Sequence, residues 1–222
     1  PYGMAIDTTT GKVYVTDAAD GILYSYDNDG SNLQILLDFN DAHLDLPYGI
    51  NVYDGQLYWA DQEGIIRADL DGNNSQVFIP IETDSPPELV IDFTIDHINN
   101  VLYFTNDKYE FSGGVYRINM DGTGLVKIVD GTDGGAMAID PENNRLYYYD
   151  YLKGMCINNL EGTAEVVFDP SNAGRFSWGM AIDKEGGKMY YPNRVNGTIM
   201  RANLDGTGVE VFIPAEAEID PH

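Results

Sequence analysis

The sequence is poor in the residues that most often supply covalent cross-links or chemistry. Its 222 residues include one cysteine, Cys156, and three histidines, and 12 Lys and Arg face 36 Asp and Glu. A single cysteine excludes an internal disulfide and a cysteine-rich zinc site. The formal net charge of −24 repels nucleic acid and anionic membranes and attracts cations or basic partners. The same charge also fits a solvated surface in a salty or calcium-rich medium.

Several enzyme and membrane signatures are missing as well. No apolar run approaches the ~18 residues of a membrane-spanning helix, so we expect no direct membrane insertion. The sequence contains no HExxH, GxSxG or P-loop motif and no glycine-rich dinucleotide fingerprint. The chain begins with Pro1 and shows no signal peptide, which we interpret as a processed chain or a segment of a longer one.

A tyrosine-led tetrapeptide recurs through the chain. It reads YVTD, YWAD, YFTN, YYYD and YYPN, and its tyrosines are Tyr14, Tyr58, Tyr103, Tyr147 and Tyr190. The tyrosines are 44, 45, 44 and 43 residues apart. Periods of about 40–45 residues are typical of propellers and solenoids. The chain is therefore predicted to contain five units of one repeat.

Each unit is predicted to form four short antiparallel strands. The segments are rich in Tyr, Val, Ile and Leu, and a second turn, Asp-Gly or Glu-Gly, follows each tyrosine by 13 to 18 residues. The sequence thus predicts an all-β fold, a β-propeller with five visible four-stranded blades. The expected domain is 1–215, with blades at about 1–45, 46–87, 88–133, 134–176 and 177–215. Residues 216–222 are expected to be a linker or the start of further sequence.

Three linked motifs carry a family resemblance over essentially the whole chain. The motifs are "GMAID" in the first strand, "KVYVTD" and "QLYWAD" in the second, and "IIRADLDG", "VYRINMDG" and "IMRANLDG" in the third strand and its turn. This pattern resembles the YWTD propeller of the low-density-lipoprotein receptor family. The resemblance implies a ring that usually has six blades, so we expect a sixth blade outside this segment. The alternative is that five whole blades close the ring by packing face to face. Ser25 and Ile157 replace the motif's arginine, and Asn106 and Asn193 replace its last aspartate.

The repeated charged residues have two interpretations, metal or catalytic groups and structural groups. Recurrence once per blade favours a structural role, with aspartates accepting backbone N–H bonds in turns. The set comprises Asp7, Asp17, Asp61, Asp96, Asp140, Asp150 and Asp183, with Arg67, Arg117 and Arg201. A calcium loop at 27–38 is the alternative for Asp27, Asp29 and Asp38, although Asn32 stands where that loop needs glycine. Apart from this calcium candidate, we expect no cofactor.

Aromatic residues before the first strands mark a candidate binding rim. Tyr2, Tyr48 and Trp178 occupy equivalent places at blade entrances, where they either pack or recognise a protein or glycan ligand. Two sequons, at Asn73 and Asn196, lie in predicted turns and are candidate glycosylation sites. Cys156 aligns with apolar residues and is predicted to be a packing residue.

The preferred functional prediction is a non-catalytic extracellular or cell-surface module. It would mediate protein interaction, adhesion or scaffolding within a larger secreted or surface chain, binding a protein or glycan ligand or neighbouring modules. One alternative is a six-bladed lactonase-like or hydrolase-like enzyme with a cation in its central channel, using unlike residues such as Glu88, Asn99 or Asp133. Odd polar residues at channel positions would favour that enzyme. The other alternative is a structural bead of a surface filament or appendage.

Overall fold

The computed structural model describes residues 2–80, 89–107, 113–131, 134–174, 177 and 179–215. It contains five antiparallel four-stranded sheets, each made of four strands in consecutive order. The predicted all-β propeller with five blades is therefore confirmed. No helix in the described part of the chain has the length and apolar character needed to cross a membrane.

The strands of the first three blades follow the tyrosine repeat. Blade 1 consists of β1 (Gly3–Asp7), β2 (Lys12–Asp17), β3 (Ile22–Asp27) and β4 (Gln34–Asp38). Blade 2 consists of β5 (Ile50–Tyr53), β6 (Gln56–Asp61), β7 (Gly64–Asp69) and β8 (Gln76–Pro80). Blade 3 consists of β9 (Leu89–Asp96), β10 (Val101–Asp107), β11 (Gly114–Asn119) and β12 (Val126–Asp130).

The last two blades keep the same order and add two short 3-10 turns. Blade 4 consists of β13 (Gly134–Asp140), β14 (Arg145–Asp150), β15 (Gly154–Asn158) and β16 (Val166–Asp169). Blade 5 consists of β17 (Ala181–Asp183), β18 (Lys188–Asn193), β19 (Thr198–Asn203) and β20 (Glu210–Ile213). The 3-10 turns are Pro141–Asn143 and Pro170–Asn172. The predicted linker 216–222 lies outside the described residues.

Glycine closes the hairpin between the third and fourth strands of every blade. Gly30, Gly72, Gly122, Gly162 and Gly206 all have φ between 74° and 86°. Only a residue without a Cβ adopts this left-handed conformation at little cost. These glycines explain why an Asp-Gly or Glu-Gly pair recurs in the sequence.

Successive blades pack face to face through the tyrosine of the repeat. Tyr14, Tyr58, Tyr103 and Tyr147 are each at most 3% exposed, and each lies in an apolar cluster with the following blade. The Tyr147 hydroxyl also donates to the Leu204 carbonyl of blade 5 at 2.9 Å. Four inter-blade interfaces thus repeat one arrangement, in which the tyrosine of one blade contacts the next.

The outer faces of blades 1 and 5 are not covered in this way. On blade 1, Met4 pairs across the sheet with Val15, Val15 with Tyr24 and Tyr24 with Ile35, so all four share one face. Met4 is 65% exposed and Ile35 is 64% exposed, whereas Tyr14 on the opposite face packs on blade 2.

Blade 5 has the complementary open face. Tyr190 is half-buried, in contrast to its four buried equivalents, and its ring lies edge-on to Phe212 with centroids 5.1 Å apart. Phe212 is 47% exposed, and the Arg201 guanidinium lies 5.1 Å from the centre of its ring. The equivalent Phe78 of blade 2 packs instead against the cluster shared with blade 3.

Candidate functional site

The first strands of the five blades surround a central cavity. Its volume is about 320 Å³, and its wall contains residues of all five blades. Binding sites of small molecules commonly begin at this size. The wall includes Met4, Ile50, Met137 and Met180, which are apolar and hold equivalent positions in the repeat. The strand register that builds the blades therefore also places one set of apolar side chains around the axis.

Two tyrosines lie together at one end of this cavity. The rings of Tyr2 and Tyr48 are perpendicular, with centroids 5.3 Å apart, and both residues line the cavity. Tyr2 is 49% exposed and Tyr48 is half-buried. We refer to this pair as the tyrosine mouth. Trp178, the third predicted rim residue, lies outside the described residues.

Polar groups gather on one side of the cavity, in blades 2 and 3. Asn51 and Thr94 stand where blades 1, 4 and 5 have alanine. The Asn51 amide donates to the Phe93 carbonyl at 3.1 Å, which ties blade 2 to blade 3. Asp92 lines the same side of the cavity. The wall of the cavity is therefore asymmetric although the fold repeats.

Asp92 breaks the repeat most sharply. Its equivalents in the other blades are Gly3, Gly49, Ala136 and Gly179. One carboxylate oxygen accepts the N–H of Phe93 at 2.9 Å, and the other accepts the N–H of Met137 in blade 4 at 2.9 Å. A Cβ at Gly49 would overlap the Asp92 carboxylate, so the small residue in blade 2 makes room for the acid in blade 3.

The environment of Asp92 changes its acidity. Burial raises its pKa to about 7, and the backbone N–H bonds from Met137 and Phe93 limit the rise. Desolvation disfavours the charged form of a carboxylic acid, which is the physical cause. A carboxyl group that titrates near neutral pH inside a cavity can bind a cation or transfer a proton.

Sequence reasoning did not single out Asp92. A usable signal was present, because aligning the five "MAID"-like segments places one acid in a column that otherwise contains only glycine and alanine.

Of the residues predicted for the enzyme, the structure describes Asn99, and Asn99 is not among the residues that line the cavity. Asn99 lies in the turn between β9 and β10, where its amide donates to Asp96 at 2.7 Å. Glu88 and Asp133 lie outside the described residues. The calcium candidates are also separated, since Asp27 and Asp29 share one hairpin and Asp38 lies at the other end of the β3–β4 pair. Within the described ranges, no three His, Cys, Asp or Glu side chains form a group suited to a metal ion.

Each of the repeated aspartates is the last residue of a strand. Most accept a backbone N–H, as Asp7 does from Thr9 at 2.8 Å and Asp96 from Ile98 at 2.9 Å. The same contact is made by Asp17, Asp61, Asp150 and Asp183. Asp140 accepts the side-chain amide of Asn143 at 2.7 Å. These contacts hold the ends of strands and are distributed around the ring.

The three repeated arginines reach different partners. Arg117 of blade 3 forms an ion pair with Glu161 of blade 4 at 3.1 Å. Arg67 lies 5.4 Å from the centre of the Phe78 ring, and Arg201 pairs with Glu210. Ser25 and Ile157, which replace this arginine in blades 1 and 4, are buried.

Cys156 and the two sequons occupy contrasting environments. Cys156 is fully buried, and burial raises the pKa of its thiol well above the ordinary value, so a reactive thiolate does not form. Asn73 and Asn196 are exposed. Asn196 lies in the β18–β19 turn, at the same end of the blades as the tyrosine mouth, and Asn73 lies in the β7–β8 turn at the opposite end.

Comparison with known proteins confirms the predicted resemblance to the YWTD propellers of the low-density-lipoprotein receptor family. The chain is 24% identical over 154 residues to a vitellogenin receptor of Solenopsis invicta, covering 67% of the chain and 8% of that receptor. It is 26% identical over 160 residues to the human low-density lipoprotein receptor-related protein 5-like protein, covering 69% of the chain and 60% of that protein. The chain thus matches only part of each relative's length. No family model matches the chain.

Solved structures with the same fold include both binding proteins and enzymes. A chain in the nidogen/laminin complex superposes with a TM-score of 0.80 at 18% identity, covering 96% of this chain and 80% of that one. A gluconolactonase of Xanthomonas campestris superposes with a TM-score of 0.76 at 17% identity, covering 97% and 76%. At these identities the likeness establishes the fold and leaves the activity to the site.

Proposed function

We propose that the chain is a non-catalytic extracellular or cell-surface module that binds a protein or glycan ligand at the tyrosine mouth. In this proposal it is part of a larger secreted or surface protein and works without a cofactor. The observation that carries it is the pairing of Tyr2 and Tyr48 at the end of the central cavity, with Tyr2 half exposed. Tyrosine supplies a large contact area with a polar tip, which suits a recognition surface.

Two further observations support this proposal. The chain is similar in sequence to a vitellogenin receptor and to a low-density lipoprotein receptor-related protein 5-like protein, and the nidogen structure is described as a complex with laminin. The surface carries a net charge of −24, which gives a basic partner a favourable long-range attraction. Exposed Asn196, at the same end of the blades, would carry a glycan beside the mouth.

The test is a binding screen of the purified chain against an array of secreted proteins, surface ectodomains and glycans. We expect saturable binding to a small set of them, abolished by Tyr2→Ala. The matched control is Ile98→Ala, because Ile98 is 60% exposed in the turn at the opposite end of blade 3. Binding that survives Tyr2→Ala unchanged, or no binding to any member of the array, would contradict the proposal.

Asp92 favours a second candidate function, general acid–base catalysis in the cavity. Its pKa of about 7 suits proton transfer at neutral pH, and it is the kind of odd polar residue that distinguishes an enzyme from a binding module. The test is hydrolysis of a panel of γ- and δ-lactones followed by pH-stat. Turnover that disappears in Asp92→Asn would replace the binding module with an enzyme, whereas the proposed function predicts no turnover above the buffer rate.

A further inference from the structure

We propose that the central cavity binds an amine carried on an apolar stem, with Asp92 as its counter-ion. The inference deepens the proposed function and rests on it in one respect, since the amine is assigned to a lysine side chain of the protein partner. A small free amine presents the same chemistry, and the experiment below separates the two sources.

The first argument is the cost of placing an acid at this position. At this position of the first strand, four blades have glycine or alanine and only blade 3 has a carboxyl group. Burying a carboxylate is unfavourable unless it is paired, and a small residue would fit the fold without this cost. The presence of Asp92 is therefore better explained by a ligand bound in the cavity than by the packing of the blades.

The second argument is that Asp92 retains unused acceptor capacity. Each of its oxygens accepts one backbone N–H, from Phe93 or from Met137. A carboxylate oxygen can accept a second hydrogen bond, so both oxygens can still receive an N–H donor from a ligand. Asp92 is also partly exposed to the cavity, although protein surrounds it.

The third argument concerns charge. The titratable residues that line the cavity in the described ranges are Tyr2, Tyr48 and Asp92. Lysine, arginine and histidine are absent from the described lining of blades 1 to 5, so these lining residues supply no positive partner for Asp92. The net charge of −24 raises the local concentration of cations around the whole protein.

The shape of the cavity specifies the rest of the ligand. Met4, Met137 and Met180 are among the residues that line the cavity, and methionine packs adaptably against alkyl chains. The faces of Tyr2 and Tyr48 at the entrance attract a passing ammonium group through cation–π interaction. An ammonium group on a flexible alkyl stem satisfies the carboxylate, the methionine wall and the aromatic entrance together.

The experiment uses n-hexylamine as the probe, with 1-hexanol and hexanoate as probes of equal chain length. Binding is measured by isothermal titration calorimetry on wild type, on Asp92→Asn and on Asp29→Asn. Asp29 is exposed in the blade 1 hairpin, so its substitution removes the same charge far from the cavity. We expect one bound hexylamine per chain, at least about tenfold weaker binding by Asp92→Asn and no change in Asp29→Asn.

Wild type alone supplies a second readout in case Asp92→Asn fails to fold. Hexylamine should bind more tightly at about pH 8 than at about pH 6, because the carboxylate that receives it forms over this range, and binding should release a proton at neutral pH. Equal affinity for hexylamine and hexanol, hexylamine affinity unaffected by Asp92→Asn or by pH, or no binding of hexylamine would each overturn the proposal.

A matched pair of amino-acid probes identifies the source of the amine. Nα-acetyl-lysine amide should bind in an Asp92-dependent manner, whereas Nα-acetyl-norleucine amide, which lacks the amine, should not. Hexylamine binding without binding of the lysine derivative would overturn the lysine assignment. A partner found in the binding screen that ignores Asp92→Asn would overturn this inference and leave the proposed function intact.

Discussion

The Asp92 carboxylate of blade 3 accepts the backbone N–H of Met137 in blade 4 at 2.9 Å. This bond joins two neighbouring blades at the wall of the central cavity, through a side chain whose pKa lies near 7. Stability and the amine binding proposed above therefore depend on the same titration.

The first prediction concerns stability against pH. Because the pKa of Asp92 is raised in the folded state, the folded chain holds a proton that the unfolded chain has released between about pH 4 and pH 7. Its contribution to stability is therefore fully present below about pH 4 and is lost as pH rises through 7. We expect the free energy of unfolding of Asp92→Asn to lack this pH dependence. Relative to that of wild type it should rise by roughly 2 kcal/mol between pH 5 and pH 8.

The measurement is urea unfolding of wild type and Asp92→Asn from about pH 5 to pH 8, which gives the difference between their free energies of unfolding at each pH. The difference isolates Asp92 from aspartates such as Asp7 and Asp121, whose pKa values lie below normal because neighbouring side chains and backbone N–H groups donate hydrogen bonds to them. Parallel stability curves for wild type and Asp92→Asn would contradict the assignment.

The second prediction compares one residue type at one repeat position. Met137 is 5% exposed between blades 3 and 4, whereas Met4 is 65% exposed on the open face of blade 1. Met137→Ala should cost about 2–4 kcal/mol of unfolding free energy because it leaves a cavity. Met4→Ala should change it by less than ~0.5 kcal/mol. Equal losses by urea unfolding would mean that the face of blade 1 is covered.

The third prediction concerns the two open faces. Phe212 of blade 5 and Met4 of blade 1 are exposed, whereas their equivalents Phe78 of blade 2 and Met137 of blade 4 pack against a neighbouring blade. We expect the 222-residue chain to self-associate reversibly with rising concentration, and Phe212→Lys to reduce this association. Sedimentation velocity would measure it.

Leu152→Lys is the control for that substitution. Leu152 is 57% exposed in a turn of blade 4, so Leu152→Lys adds the same charge as Phe212→Lys at a place away from the open faces. If Phe212→Lys and Leu152→Lys reduced association equally, charge and not the open face would be responsible. The result also bears on a role as a bead of a filament, which requires contacts between copies.

The fourth prediction concerns the sequons. Expressed through a eukaryotic secretory pathway, the chain should carry glycans at exposed Asn73 and Asn196, so that its mass exceeds 24.6 kDa until the glycans are removed. Asn73→Gln and Asn196→Gln should each remove one glycan in mass spectrometry. A wild-type mass equal to the sequence value would count against an extracellular location.

The fold could be predicted from the sequence because its information is repeated. Five tyrosines at a nearly constant period fix the second strands, and the Asp-Gly and Glu-Gly pairs fix the hairpins, so an error in one unit is corrected by the others. Burial follows from the same repetition, as the four buried motif tyrosines show.

The site was harder to predict because it depends on what is not repeated. Asp92 matters through its position beside Gly49 and Met137, two residues of other blades that are far away in sequence. Its raised pKa arises from burial around the axis, which no local pattern encodes. Tyr2 and Tyr48 were identified from equivalent positions, but their perpendicular contact depends on how blades 1 and 2 pack.

The open faces also give the protein an unusual response to ionic strength. Copies that each carry a charge of −24 repel one another over a Debye length of about 10 Å in ~0.1 M salt, and this repulsion opposes contact between the apolar faces. Adding salt shortens the repulsion and leaves the apolar attraction in place. The same chain would therefore stay monomeric in dilute buffer and associate in a saline medium, so the ionic strength of the medium would set its state of association.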